Sequence, residues 1–239
     1  MTMIERPSVP REHGAWGMLL VPFGTALGVA GAFDLKTALL LASTLFFYVA
    51  RASWLKQQWS WTALLLAASL AAALPLFVVW KLWWLVAFSG VAAVLAAQPT
   101  RRHLLMQLTA TVGLVLTAPA AWYTATGRLD ATAFWLWLWN GLYFVGGLLY
   151  VRMRLAPVTA RCGLRWLVLG FFAGLSLFVL ALVMANVFSY HLLLAFAPAV
   201  TRAAAGVGRL AWPLRIKVLG WSEVAFSVLF GVLLVAALR

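Results

Sequence analysis

The sequence predicts an all-α fold, a multi-pass transmembrane helical bundle of nine spans. Three observations carry that prediction. The 239 residues are 65% hydrophobic and only 10% charged, with a mean hydropathy of +0.99. A soluble domain is nearer half apolar and a quarter charged. Nine apolar runs fill the chain, each near the roughly 20 residues that a bilayer-crossing helix needs. Finally, the basic residues alternate in density from one junction to the next.

The runs, in order, are 14–32, 37–52, 60–80, 82–98, 103–123, 131–152, 164–186, 189–206 and 217–238. Charged residues punctuate them: Asp34 and Lys36, Lys56, Lys81, Arg101 and Arg102, Arg128 and Asp130, then the stretch Arg152–Arg165. The turn at Trp80-Lys81-Leu82 is very short, and Asn186–Tyr190 is polar only in part. Merging either pair leaves eight or seven spans. The positive-inside rule favours nine. With residues 1–13 as a cytoplasmic N-terminal segment, inside segments hold fourteen of the 18 Lys and Arg, at least two each. Each outside segment holds at most one. The reading is a single membrane domain over 1–239, N-terminus cytoplasmic and C-terminus outside, in a bacterial inner membrane.

The net charge of +13 sits in loops beside lipid headgroups, so membrane lipids, not nucleic acid, are the expected partners. The single Cys162 excludes an internal disulfide. No phosphate-binding loop, paired carboxylates or paired metal-ligand spacing occurs, and no metal or cofactor is expected.

Polar side chains within spans are costly and turn toward the bundle interior. Asn140, Tyr143, Gly147, Tyr150 and Arg154 form one stripe on span six, at steps of 3, 4, 3 and 4. His103, Gln107 and Thr111 form one on span five. Gly220, Glu223, Ser227 and Gly231 form one on span nine; His13, Gly17, Gly24 and Gly28 form one on span one. The glycines read as helix-packing seams. Gln107 and Asn140 also fit plain interhelical hydrogen bonds, and Tyr143 and Tyr150 ordinary core aromatics. Of the 14 Trp, Trp80, Trp83, Trp84, Trp135, Trp137 and Trp139 flank outer segments and read as a headgroup belt.

Glu223 lies about one and a half turns into the last span. An unpaired carboxylate there is expensive or takes up a proton. It should pair with an inner-face cation, for which Arg51, Arg152, Arg154, Arg202 and His13 are the candidates. The expected site opens to the cytoplasmic half and gathers Glu12, His13, Arg51, Gln107, Tyr150, Arg152, Arg154 and Glu223. Arg152 and Arg154 stand about 200° apart on a helix, so one of them addresses the site squarely, and the stripe favours Arg154. Many arginines and few carboxylates suit an anionic ligand.

The start of span one reads Glu12-His13-Gly14-Ala15-Trp16, followed by Met18-Leu19-Leu20 and Pro22. This resembles the YwiC-like family of bacterial membrane proteins, specifically over about residues 9–32, and implies an integral membrane protein of about this length. A looser resemblance is to the UbiA superfamily of intramembrane prenyltransferases, which have nine helices and a site open to the cytoplasmic half. Their Asp-rich motifs end helices two and six and hold Mg²⁺ against a prenyl diphosphate. Here those ends read Phe47-Tyr48-Val49-Ala50-Arg51 and Tyr150-Val151-Arg152-Met153-Arg154, with arginine where that family has aspartate. The resemblance therefore implies a UbiA-like scaffold for an isoprenoid or anionic lipid, without the Mg²⁺ site. An enzyme on this plan would be metal-independent, prenyltransferase-like or lipid-modifying. A small-anion permease and a non-catalytic assembly subunit remain the alternatives.

Overall fold

The computed structural model describes residues 13–97, 104–208 and 216–239. Those residues form ten α-helices and no strand: α1 (His13–Ala30), α2 (Leu35–Leu55), α3 (Trp59–Val78), α4 (Trp84–Ala97), α5 (Leu104–Val115), α6 (Thr117–Thr126), α7 (Ala131–Leu155), α8 (Val158–Met184), α9 (His191–Gly208) and α10 (Ile216–Leu238). Seven segments are long and apolar enough to cross a membrane, with α5 and α6 taken as one. α1 and α4 are shorter apolar helices. The chain is an integral membrane protein: its apolar helices also turn large side chains such as Leu70, Leu74, Val78, Val94 and Leu177 outward, a surface that suits lipid and not water.

Local chemistry sets the helix ends. The Asp34 carboxylate accepts the Thr37 N–H at 3.0 Å, and the Thr37 hydroxyl accepts the Asp34 N–H at 2.9 Å, a reciprocal cap that starts α2. Asp130 caps α7 by accepting from the N–H groups of Thr132 and Ala133. Both short junctions are true breaks. Lys81 and Asn186 take left-handed φ values of 55° and 56°, which no continuing helix permits.

The run expected as one span over 103–123 differs. It divides between Val115 and Thr117 and continues to Thr126. Pro119 has no N–H to return to the preceding turn. Leu116 N–H bonds Gly113 O, three residues back, and the Thr117 hydroxyl bonds Leu114 O and, across to α1, Leu19 O. The interruption is thus held from both sides.

α7 is the central helix and packs against α1, α5, α6, α8 and α9. Its Trp139, Tyr143, Phe144, Tyr150 and Met153 are buried with Phe172, Phe196 and Phe230. Trp139, expected in the headgroup belt, is instead fully buried and stacks on Trp135 at 5.5 Å. Its position one helical turn from Trp135 places it inside the α7–α8–α9 contact. Trp83 and Trp84 are exposed, as a belt requires.

α1 and α10 form the small-residue seam. Gly17 faces Ser227, Gly231 faces Val21 and Thr25, and Gly28 faces Val235. Both sets of numbers rise together, so α1 and α10 run parallel. The start of α1 and the end of α10 therefore lie at opposite ends of the bundle, as an odd number of passes demands. Gly24 stands off this seam, with nothing near its missing side chain.

Candidate functional site

One end of the bundle gathers the polar groups: the starts of α5 and α10 and the ends of α7 and α9. Its centre is built on α9. Ala195, Ala199, Ala203 and Gly206 are buried there and bring α9 close to α7, with Arg202 among them. Gly206 is required: a methyl group would collide with the Tyr150 ring and sit 2.8 Å from its hydroxyl. Tyr150 therefore lies against α9, and the Arg202 guanidinium carbon sits 4.8 Å from its ring centroid and 5.1 Å from that of Phe226. Both contacts are cation–π in kind.

Arg202 Nη1 lies 2.7 Å from Glu223 Oε2 of α10, with side chains only 7% and 14% exposed. The pair lies beside Gly147 of α7. A methyl group at that position would lie 3.6 Å from Glu223 Oε2 and 3.9 Å from Arg202 Nη2. The carboxylate that the sequence required to find a cation thus has one. The contact is an ion pair by distance and not an aligned hydrogen bond. Arg202 Nε, Nη1 and Nη2 and Glu223 Oε1 all lack a hydrogen-bond acceptor or donor among the described residues. The Tyr143 hydroxyl, on the same stripe of α7, is likewise buried with no hydrogen bond of good geometry among the described residues, and its ring stacks on Phe230 at 3.9 Å. Each such buried polar atom costs about 1–3 kcal/mol unless water or a ligand meets it.

The two arginines of α7 diverge, as their separation on the helix demands. Arg154 Nη1 donates to Gly206 O at 3.1 Å and so reaches α9, one turn beyond Arg202. Arg152 Nη1 donates to Gln107 Oε1 at 2.9 Å and so ties α7 to α5. The Thr111 hydroxyl continues that second cluster, bonding Gln107 O and touching Met18 Sδ of α1. Arg51 stands on α2, one turn past Tyr48, whose ring meets Trp16 of α1 edge-on at 5.1 Å. Glu12 and the side chain of His13 lie outside the described residues.

The structure therefore groups Tyr150, Arg154 and Glu223 around Arg202, and Arg152 with Gln107 beside them. Arg202 was only a candidate counter-ion in the sequence; the geometry makes it the centre. A signal for it exists. Ala195, Ala199, Arg202 and Gly206 fall at steps of 4, 3 and 4, a small-residue stripe that contains an arginine. Among the described residues, no group of three or more His, Cys, Asp or Glu is placed to hold a metal ion.

Residues 9–122 match the family described as YwiC-like protein. Over that stretch the chain is similar to YwiC-like proteins. The match takes in α1 to α5, most of α6 and the Glu12–Trp16 motif, just under half of the sequence. The helices that carry Arg154, Arg202 and Glu223 lie beyond it. No curated protein and no solved structure matches the chain, so the UbiA likeness rests on span count and sidedness alone.

Proposed function

We propose that this protein binds the anionic head of an isoprenoid or acidic lipid, taken from the cytoplasmic leaflet, at the Arg202–Glu223 centre. One observation carries the reading. A guanidinium that is nine-tenths buried keeps its Nε and Nη2 donors uncommitted among the described residues, in a ring-lined position between α7, α9 and α10. Guanidinium forks match phosphate and carboxylate oxygens. Arg152 and Arg154 at the same end bias it toward negative charge, while the apolar helices around it suit a lipid tail. The 14-to-4 division of basic residues supports nine spans with this end in the cytoplasm of a bacterial inner membrane.

A second reading, a small-anion permease, is favoured by the interrupted span at α5–α6, since transporters build sites at broken helices. The test is native mass spectrometry of the full chain released from nanodiscs of phosphatidylcholine with phosphatidylglycerol or farnesyl phosphate. The lipid reading expects a retained anionic lipid, unaffected by EDTA. Retention of phosphatidylcholine alone, or binding that Mg²⁺ must restore, contradicts it.

A further inference from the structure

Among the described residues, Glu223 meets one cation, Arg202. From α7, Gly147 faces it, and the buried Tyr143 hydroxyl lies on the same stripe of that helix. From α1, Gly17 and Val21 face α10, and no α1 side chain among the described residues is titratable. On α10 itself the described neighbours are Ser222 and Ser227, and the latter donates to Glu223 O at 2.7 Å. The buried pair is therefore neutral as a unit. An anion that takes the free edge of Arg202 changes that balance. Two negative groups would then share one guanidinium in a site shut off from water, where like charges disfavour joint ionisation. The lower-energy course is for the carboxylate to take a proton.

Resting on the anion-binding reading above, we propose that anion binding at Arg202 is coupled to the uptake of one proton by Glu223. The bookkeeping closes. The Glu223 carboxylate and a proton from solvent become the carboxylic acid, its ion pair with Arg202 breaks, and a phosphate-type oxygen takes its place on the guanidinium. Net buried charge is zero before and after for a singly charged anion. The internal carboxylate thus holds the site closed at high pH and yields it as pH falls. The same device serves a lipid head or a free oxyanion.

The test is titration calorimetry of the full chain in detergent, with dihexanoyl phosphatidylglycerol, whose phosphodiester keeps one charge from pH 6.5 to 8. Buffers of different ionisation enthalpy count the protons. Wild type should take up about one proton per lipid and lose affinity about tenfold per pH unit. Glu223→Gln should bind without proton uptake, with affinity flat in pH and above that of wild type at pH 8. Arg202→Gln/Glu223→Gln, a neutral pair that keeps the packing, should bind at least about tenfold more weakly than Glu223→Gln. Binding by wild type with no proton uptake, or proton uptake retained in Glu223→Gln, overturns the coupling. Sulfate is the arm without a lipid tail; proton uptake with sulfate alone upholds the coupling and makes the ligand a free anion. If neither probe binds wild type, the anion reading itself fails, and the coupling with it.

Discussion

Replacing Arg202 alone should be among the most damaging single changes in this bundle, and replacing it together with Glu223 should not. The pair is 2.7 Å apart with side chains 7% and 14% exposed. Arg202→Gln leaves a buried carboxylate with neither oxygen paired, since Glu223 Oε1 already lacks a partner. Breaking a buried pair on one side costs about 3–5 kcal/mol. The double change Arg202→Gln/Glu223→Gln removes both charges and should fall within about 1–2 kcal/mol of wild type, because desolvation offsets most of what a buried pair gains. The coupling energy from the four-member cycle should therefore exceed about 2 kcal/mol. Lys36–Asp34 supplies the comparison, 3.1 Å apart but 27% and 39% exposed. Its cycle should give less than about 1 kcal/mol, as exposed pairs do. The assay is reversible unfolding in mixed micelles by titration with dodecyl sulfate, followed by tryptophan fluorescence. Additive losses at Arg202 and Glu223, or equal coupling in the two cycles, would refute the burial argument.

Gly206→Ala should cost about 1–3 kcal/mol by overpacking and weaken anion retention, because the methyl group displaces Tyr150 from beneath Arg202; the same unfolding titration and native mass spectrometry read both effects. Partial burial would raise the Asp34 carboxyl pKa, yet the Thr37 N–H and Lys36 outweigh it and hold it below the ordinary value. Its stabilisation is thus present above the unfolded pKa, near 4, and lost as pH falls through the lower folded value. The protection of amides at the start of α2, measured relative to their intrinsic exchange rate at each pH, should fall on acidification in wild type, and already be low at neutral pH in Asp34→Ala. A reporter fused after Arg239 should be active outside the cytoplasm and one inserted in 157–162 should not; a cytoplasmic C-terminus contradicts the parallel α1–α10 seam combined with an inside start.

The number and order of the apolar segments were legible because span length and loop charge are properties of single stretches of chain. The breaks at Lys81 and Asn186 were legible for the same reason. The division at Leu116 was not, since it depends on Thr117 reaching Leu19 O on α1, a partner far away in sequence. Burial of Trp139 was misread because flanking position was weighed above its packing against Phe178, Phe188 and Phe196. At the site, the need of Glu223 for a cation was legible from burial cost. The choice among five candidates was not, since it is made by how closely α9 packs on α7 at Gly206, which sets Arg202 beside Glu223 of α10. The divergence of Arg152 and Arg154 followed from helix geometry alone.

The central claim is that the uncommitted edge of Arg202 receives an anion. An experimental density map of the full chain in nanodiscs containing phosphatidylglycerol addresses it directly. The account predicts a phosphate-sized density about 2.7–3.2 Å from Arg202 Nε or Nη2, with a lipid tail leading from it. A map in which only water or a protein group occupies that edge, with phosphatidylglycerol saturating the surrounding bilayer, would contradict it.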